Sequence, residues 1–72
     1  MKITTDRINV NSKAIKLAEY NYETNELKLI FINDREYIYE SVEPFMFEGL
    51  RATESVGKFF NKYIKPLTFV KL

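Results

Sequence analysis

Hydrophobic and polar positions alternate most clearly in the middle of the chain. From Ala14 to Tyr22, AIKLAEYNY mixes β-branched and aromatic residues with polar ones, and ETNE behind it supplies short polar side chains that hydrogen-bond their own backbone. This predicts a strand and then a tight turn. LKLIFI, Leu27 to Ile32, is short, rich in β-formers and closed by Asn33 and Asp34, residues that tolerate positive φ. EYIYESV, Glu36 to Val42, alternates acid and ring as a half-solvated strand does. The expectation is a three-stranded antiparallel β-meander. Residues 1 to 12 carry the weakest pattern, and no element is assigned to them.

Pro44 changes the period, because its fixed φ suits the first turn of a helix, where its missing N–H costs nothing. PFMFEGLRA, Pro44 to Ala52, therefore reads as a short helix, with Met46, Phe47 and Leu50 on one stripe and Phe45 on the other side above Gly49 and Ala52. Phe45 either covers a sheet edge or the other helix, or it contacts a partner. In ESVGKFFNKYIK, Glu54 to Lys65, the residues Val56, Phe59, Phe60, Tyr63 and Ile64 follow the i, i+3, i+4, i+7, i+8 pattern of a second amphipathic helix. Lys58, Asn61, Lys62 and Lys65 fall on the opposite face, and Thr53 or Ser55 can cap the start. Pro66 ends this helix, after which LTFVKL alternates like an edge strand returning to the sheet. The fold class is α+β: a meander, two short helices and a C-terminal edge strand, in a single domain over residues 1 to 72.

Tyr37 and Tyr39 share one face of their strand, and the hairpin decides which. A two-residue loop at Asn33 and Asp34 pairs Ile30 with Tyr37 and turns both rings away from Leu27, Leu29 and Phe31; a three-residue loop reverses this. In the first case the rings are a stacking platform of the kind single-strand binders use, and in the second they are core tyrosines.

Composition narrows the function classes. A chain of 72 residues has room for one modest core, since a domain of this size buries only about 60% of its unfolded surface. The chain contains neither cysteine nor histidine, which removes disulfides, thiolate and imidazole metal ligands and the commonest catalytic bases. Eleven aromatic residues within a 46% hydrophobic composition favour a packed core and leave apolar surface for a protein partner or a homo-oligomer. Charges and amides occupy the opening stretch where a signal peptide would be apolar, and no run is long enough to span a membrane, so a cytoplasmic protein is expected.

The net charge is only +1, yet residues 51 to 72 hold five basic side chains against one acidic, while residues 1 to 50 hold six against nine. The positive charge is thus concentrated where Lys58, Lys62 and Lys65 lie. Two readings stand for these lysines: an anion site whose affinity falls with salt, or a solvated face supported by the Glu54 to Lys58 spacing and the helix dipole. The two glycines, Gly49 and Gly57, cannot form a phosphate-cradling loop of the GxGxxG or GxxxxGK[ST] kind. Glu36, Glu40 and Glu43 read as the solvent face of a strand and turn rather than a metal site. With no catalytic spacing recognisable, the chain is expected to be noncatalytic, with no cofactor and no metal.

Taken together, YIY in the third predicted strand and SVGKFFNKYIK after a proline-started helix resemble the KTSC domain, a family named for its occurrence at the C-terminus of some lysyl-tRNA synthetases and found also as short stand-alone bacterial or phage proteins. The likeness runs from about Val10 to Ile64 and rests on AIKLAEYNY, on Tyr37 and Tyr39, and on Ser55, Gly57, Phe59, Phe60, Asn61 and Ile64. Where the family often has a glycine after the hairpin asparagine, this chain has Asp34. The resemblance implies a strands-then-helices α+β domain and RNA binding, and brings no catalytic residues. Gly57 is read as permitting close packing, and Asn61 as tying the helix to a neighbouring backbone. The expected function is a small module that binds RNA or a nucleotide, with Lys58, Lys62 and Lys65 on phosphate and Tyr37 and Tyr39 stacking on bases. The alternative is a protein-interaction or self-assembling module, such as a phage-encoded inhibitor of a host factor, with Phe45 as a contact.

Overall fold

The computed structural model describes residues 5–10 and 13–72, so part of the weakly patterned opening stretch lies outside them. Among the described residues five strands form one antiparallel sheet in chain order: β1 (Thr5–Asn9), β2 (Ile15–Asn21), β3 (Glu26–Phe31), β4 (Glu36–Tyr39) and β5 (Phe69–Lys71). Helix α1 (Pro44–Ala52) and helix α2 (Val56–Phe59), which runs on into a π-helical segment (Phe60–Ile64), are inserted between β4 and β5. The predicted layout of sheet and two helices is present, but the sheet has five strands rather than three. LTFVKL does return to pair with β4, placing Phe69 opposite Tyr39 and Lys71 opposite Tyr37. β1 carries no readable pattern because Ile8 is its one apolar residue; Asp6, which shares a face with Ile8 and Tyr20, is held there by Arg51 of α1 instead of by burial.

The β3–β4 hairpin takes the three-residue loop. Leu29 faces Tyr37 and Leu27 faces Tyr39, while the Phe31 N–H donates to the Arg35 carbonyl at 2.9 Å and the Asp34 N–H to the Phe31 carbonyl at 2.9 Å. Asp34 closes the loop at φ 66°, in the left-handed region that glycine fills most easily, with the Asn33 side-chain oxygen accepting from the Arg35 N–H at 3.1 Å.

That register gives the sheet one inner face, and both helices lie on it. Tyr20, Leu27, Leu29 and Tyr39 from the strands meet Phe47, Leu50 and Ile64 from the helical layer in a single core. Phe47 stacks on Tyr20 with centroids 5.1 Å apart, and the buried Tyr20 hydroxyl donates to the Val42 carbonyl and approaches the Asn25 side-chain oxygen at 3.1 Å. The Val42 N–H in turn reaches the Asn25 carbonyl at 2.8 Å, so the β2–β3 turn anchors the segment that launches α1. On the outer face Leu17, Ile30, Ile38 and Val70 run diagonally across the sheet between the ion pairs Arg7–Glu19 and Lys28–Glu36.

Candidate anion-binding helix face

The tyrosine pair is not a displayed platform. With the hairpin in its three-residue form, Tyr39 is 5% exposed and Tyr37 half-buried. Both rings are walled in: Tyr37 by Phe31 at 5.4 Å and Phe69 at 5.6 Å, Tyr39 by Phe60 at 5.6 Å and Phe69 at 5.4 Å. Burial raises the Tyr39 pKa first, and the neighbouring Tyr37 adds to the shift. These two side chains build core and cannot both stack on bases, which corrects the expectation placed on them.

The lysines are all exposed, but not on one line. The Lys65 N–H donates to the Phe60 carbonyl at 2.8 Å, an i to i+5 bond, so the last turn holds an extra residue. Lys58 and Lys62 remain stacked at i, i+4, whereas Lys65 follows Gly57 and Asn61 on the adjacent line. The wide turn also sets Tyr63 back beside Phe59, their centroids 4.7 Å apart, and brings Ile64 to the middle of the buried stripe. Tyr63, a core residue by sequence periodicity, is 36% exposed, and the Lys62 ammonium lies 5.1 Å from its ring centroid. No feature of a 3.6-residue pattern could have revealed this, because the displacement comes from the π turn itself.

Further expectations change in the same helix. Glu54 stands before the first residue of α2, so it cannot lie one helical turn below Lys58, and the ion pairs among the described residues do not include the two. Neither Thr53 nor Ser55 caps the helix: Ser55 occupies the N-cap without a side-chain cap bond, and the Thr53 hydroxyl accepts from the Ser55 N–H at 3.1 Å. Gly57 permits no close packing either, since a Cβ there would meet nothing within 4 Å and its φ is not positive. The close approach belongs to Gly49, where the ring of Phe59 lies directly on the α1 backbone. Asn61 is exposed, and Phe45, one turn before Gly49 on the same stripe of α1, is 58% exposed.

The outer side of the helical layer thus presents Lys58 and Lys62 beside an exposed ring, with Gly57, Asn61 and Lys65 next to them. Among the described residues no group of three or more carboxylates could hold a metal ion, and no helix is long and apolar enough to cross a membrane.

A five-stranded antiparallel meander with two helices packed on one face before its last strand defines a small α+β domain. The KTSC domain model matches residues 11–69, and the chain belongs to that family. It is 40% identical over 57 residues to a protein of Tsukamurella paurometabola, covering 79% of this chain and 85% of that one. An uncharacterized protein of Stutzerimonas stutzeri is 30% identical over 60 residues, or 83% and 84% of the two chains. The crystal structure of a KTSC domain protein from Yersinia pestis superposes with a TM-score of 0.87 at 25% identity, covering 94% of this chain and 97% of that one.

Proposed function

We propose that the chain is a noncatalytic cytoplasmic module that binds RNA or a nucleotide on the outer side of its helical layer. Lys58, Lys62 and Lys65 meet phosphates, and the stacking role moves from Tyr37 and Tyr39 to Tyr63. The observation that carries this reading is the Lys62 ammonium 5.1 Å from the centroid of an exposed Tyr63 ring, with Lys58 one turn behind it. Single-strand binders combine the same two elements, a cationic track for the backbone and an aromatic face for a base. Gly57 and Asn61, through which the chain resembles its family, lie on the same exposed side, where neither packing nor φ asks for glycine.

The test is titration of RNA oligonucleotides and mononucleotides at low and physiological salt. If two or three lysines contact phosphate, a fourfold rise in salt weakens oligonucleotide binding about 7- to 20-fold. K58A/K62A flattens that dependence, and Y63A costs about 1–3 kcal/mol of affinity with the slope unchanged. Absence of binding at low salt defeats the proposal. A second reading, protein interaction, is favoured by Phe45, a large ring 58% exposed on α1; F45A would then weaken capture of the partner without affecting RNA.

A further inference from the structure

The two edges of the sheet are built differently. On β1 the N–H of Arg7, which points away from β2, is taken up at 2.8 Å by the Asp6 carboxylate, and that carboxylate is itself held by Arg51. A local side chain therefore occupies a donor that another strand would need, one of the ways in which edges are kept from pairing. Among the described residues no side chain takes up a donor of β5, whose protection is limited to its three-residue length and Lys71. Its bonds to β4 run through Thr68 and Leu72: the Glu40 N–H donates to the Thr68 carbonyl and the Leu72 N–H to the Glu36 carbonyl, both at 2.9 Å. By the alternation of antiparallel ladders Val70 is the bonded partner of Ile38, and the N–H and C=O of Phe69 and Lys71 point to the free edge. Around Lys71 the side chains along this edge are apolar and open, with Phe69 51%, Val70 48% and Leu72 63% exposed.

We infer that β5 pairs with β5 of a second copy of this chain, joining two sheets into one of ten strands. An antiparallel pairing centred on Val70 sets Phe69 opposite Lys71 of the other copy, and the four outward-facing groups of each copy then satisfy one another in four hydrogen bonds. Val70 meets its own counterpart in the close, non-bonded position on the outer face. The diagonal of Leu17, Ile30, Ile38 and Val70 then continues into the same diagonal of the other copy. Charge disfavours the adjacent register. Centring on Lys71 would set two ammonium groups face to face, which destabilises a cross-strand pair, whereas centring on Val70 sets each Lys71 beside a Phe69 ring. The symmetry is isologous and closes at two copies, because among the described residues the other edge of each sheet is β1, where the Arg7 donor is blocked. The two-fold axis runs perpendicular to the sheet, so both helical layers lie on the same side.

Sedimentation velocity over a concentration series tests the inference on the intact chain. The weight-average mass is expected to rise towards twice the monomer value as concentration increases. K71P removes a free-edge N–H that makes no bond to β4, so it leaves the fold cooperative and abolishes the dimer. The chain has no cysteine, so a single introduced one reports register directly. Under copper–phenanthroline oxidation V70C cross-links to itself at least tenfold faster than F69C, since residue 70 faces its own counterpart and residue 69 does not. A monomer at every concentration overturns the inference. So does a dimer that survives K71P, or F69C cross-linking as fast as V70C. If K71P does not fold, the V70C and F69C comparison decides alone.

Discussion

A Cβ on Gly49 would run into the Cζ of Phe59 and lie 2.6 Å from its Cε2, whereas one on Gly57 would meet nothing within 4 Å. Both glycines sit in helices at negative φ, so replacing either with alanine relieves the backbone entropy cost of glycine, about 1 kcal/mol in a helix interior. At Gly57 nothing opposes that gain, and G57A should stabilise the domain by about 0.4–1 kcal/mol in urea unfolding. At Gly49 the Phe59 ring must leave its seat on α1 and disturb its contact with Tyr63, an overpacking cost of about 1–3 kcal/mol. G49A should therefore destabilise the wild type by about 1 kcal/mol, yet stabilise the F59A background, where the obstacle is gone. A stabilised G49A in the wild type would show that the ring swings aside freely. The sequence offers two helical glycines; which one is a packing floor depends on a ring ten residues from Gly49 in the chain.

At the scale of elements the π turn has the largest consequence. Helical periodicity in the sequence treats Tyr63 and Ile64 as equal members of one apolar stripe, but the i to i+5 bond from Lys65 to Phe60 separates them into a surface ring and a fully buried side chain. I64A should cost about 2–5 kcal/mol, while Y63A should cost less than about 1 kcal/mol. Chemical denaturation of the two variants checks this, and equal costs would mean that the helix is a regular α-helix throughout. β-strand pattern was more reliable: β2, β3 and β4 bury one face against the helices, so their alternation is written in the residues. β1 was illegible because an edge strand needs few apolar residues, and here an ion pair occupies an inward position. The hairpin was half legible. Asn33 and Asp34 marked its place, but loop length, and with it the fate of Tyr37 and Tyr39, was decided by which face of β4 could pack against Phe31, Phe60 and Phe69.

For the molecule as a whole, the pH dependence of stability follows from where its titrating groups lie. Burial raises the Tyr20 pKa above the ordinary value of 10.0, with Tyr22 and Glu43 adding to the shift, and burial raises Tyr39 likewise. The folded state favours the neutral phenols, so their contribution is intact below pH 10 and is lost as pH climbs through the raised folded-state values. Asp6 behaves oppositely: the hydrogen bond from Arg51 holds its pKa below 3.8, so its smaller contribution is present above that value and fades as pH falls through the lowered one. Thermal unfolding across pH should show a broad neutral plateau and a decline beginning near pH 10, and Y39F should move that decline upward. A decline unchanged in Y39F and Y20F would assign it to other groups. By itself the sequence determined the α+β class, the order of its central strands, the start of the first helix and the exposure of three lysines, because these follow from local periodicity, proline geometry and the cost of burying charge. Only the tertiary structure decided that two tyrosines are core and a third is surface, that Gly49 rather than Gly57 is the close approach, and that β5 rather than β1 leaves an open edge. Each of those depends on which side chain arrives from elsewhere in the chain to fill a space, and the core accepts one filling.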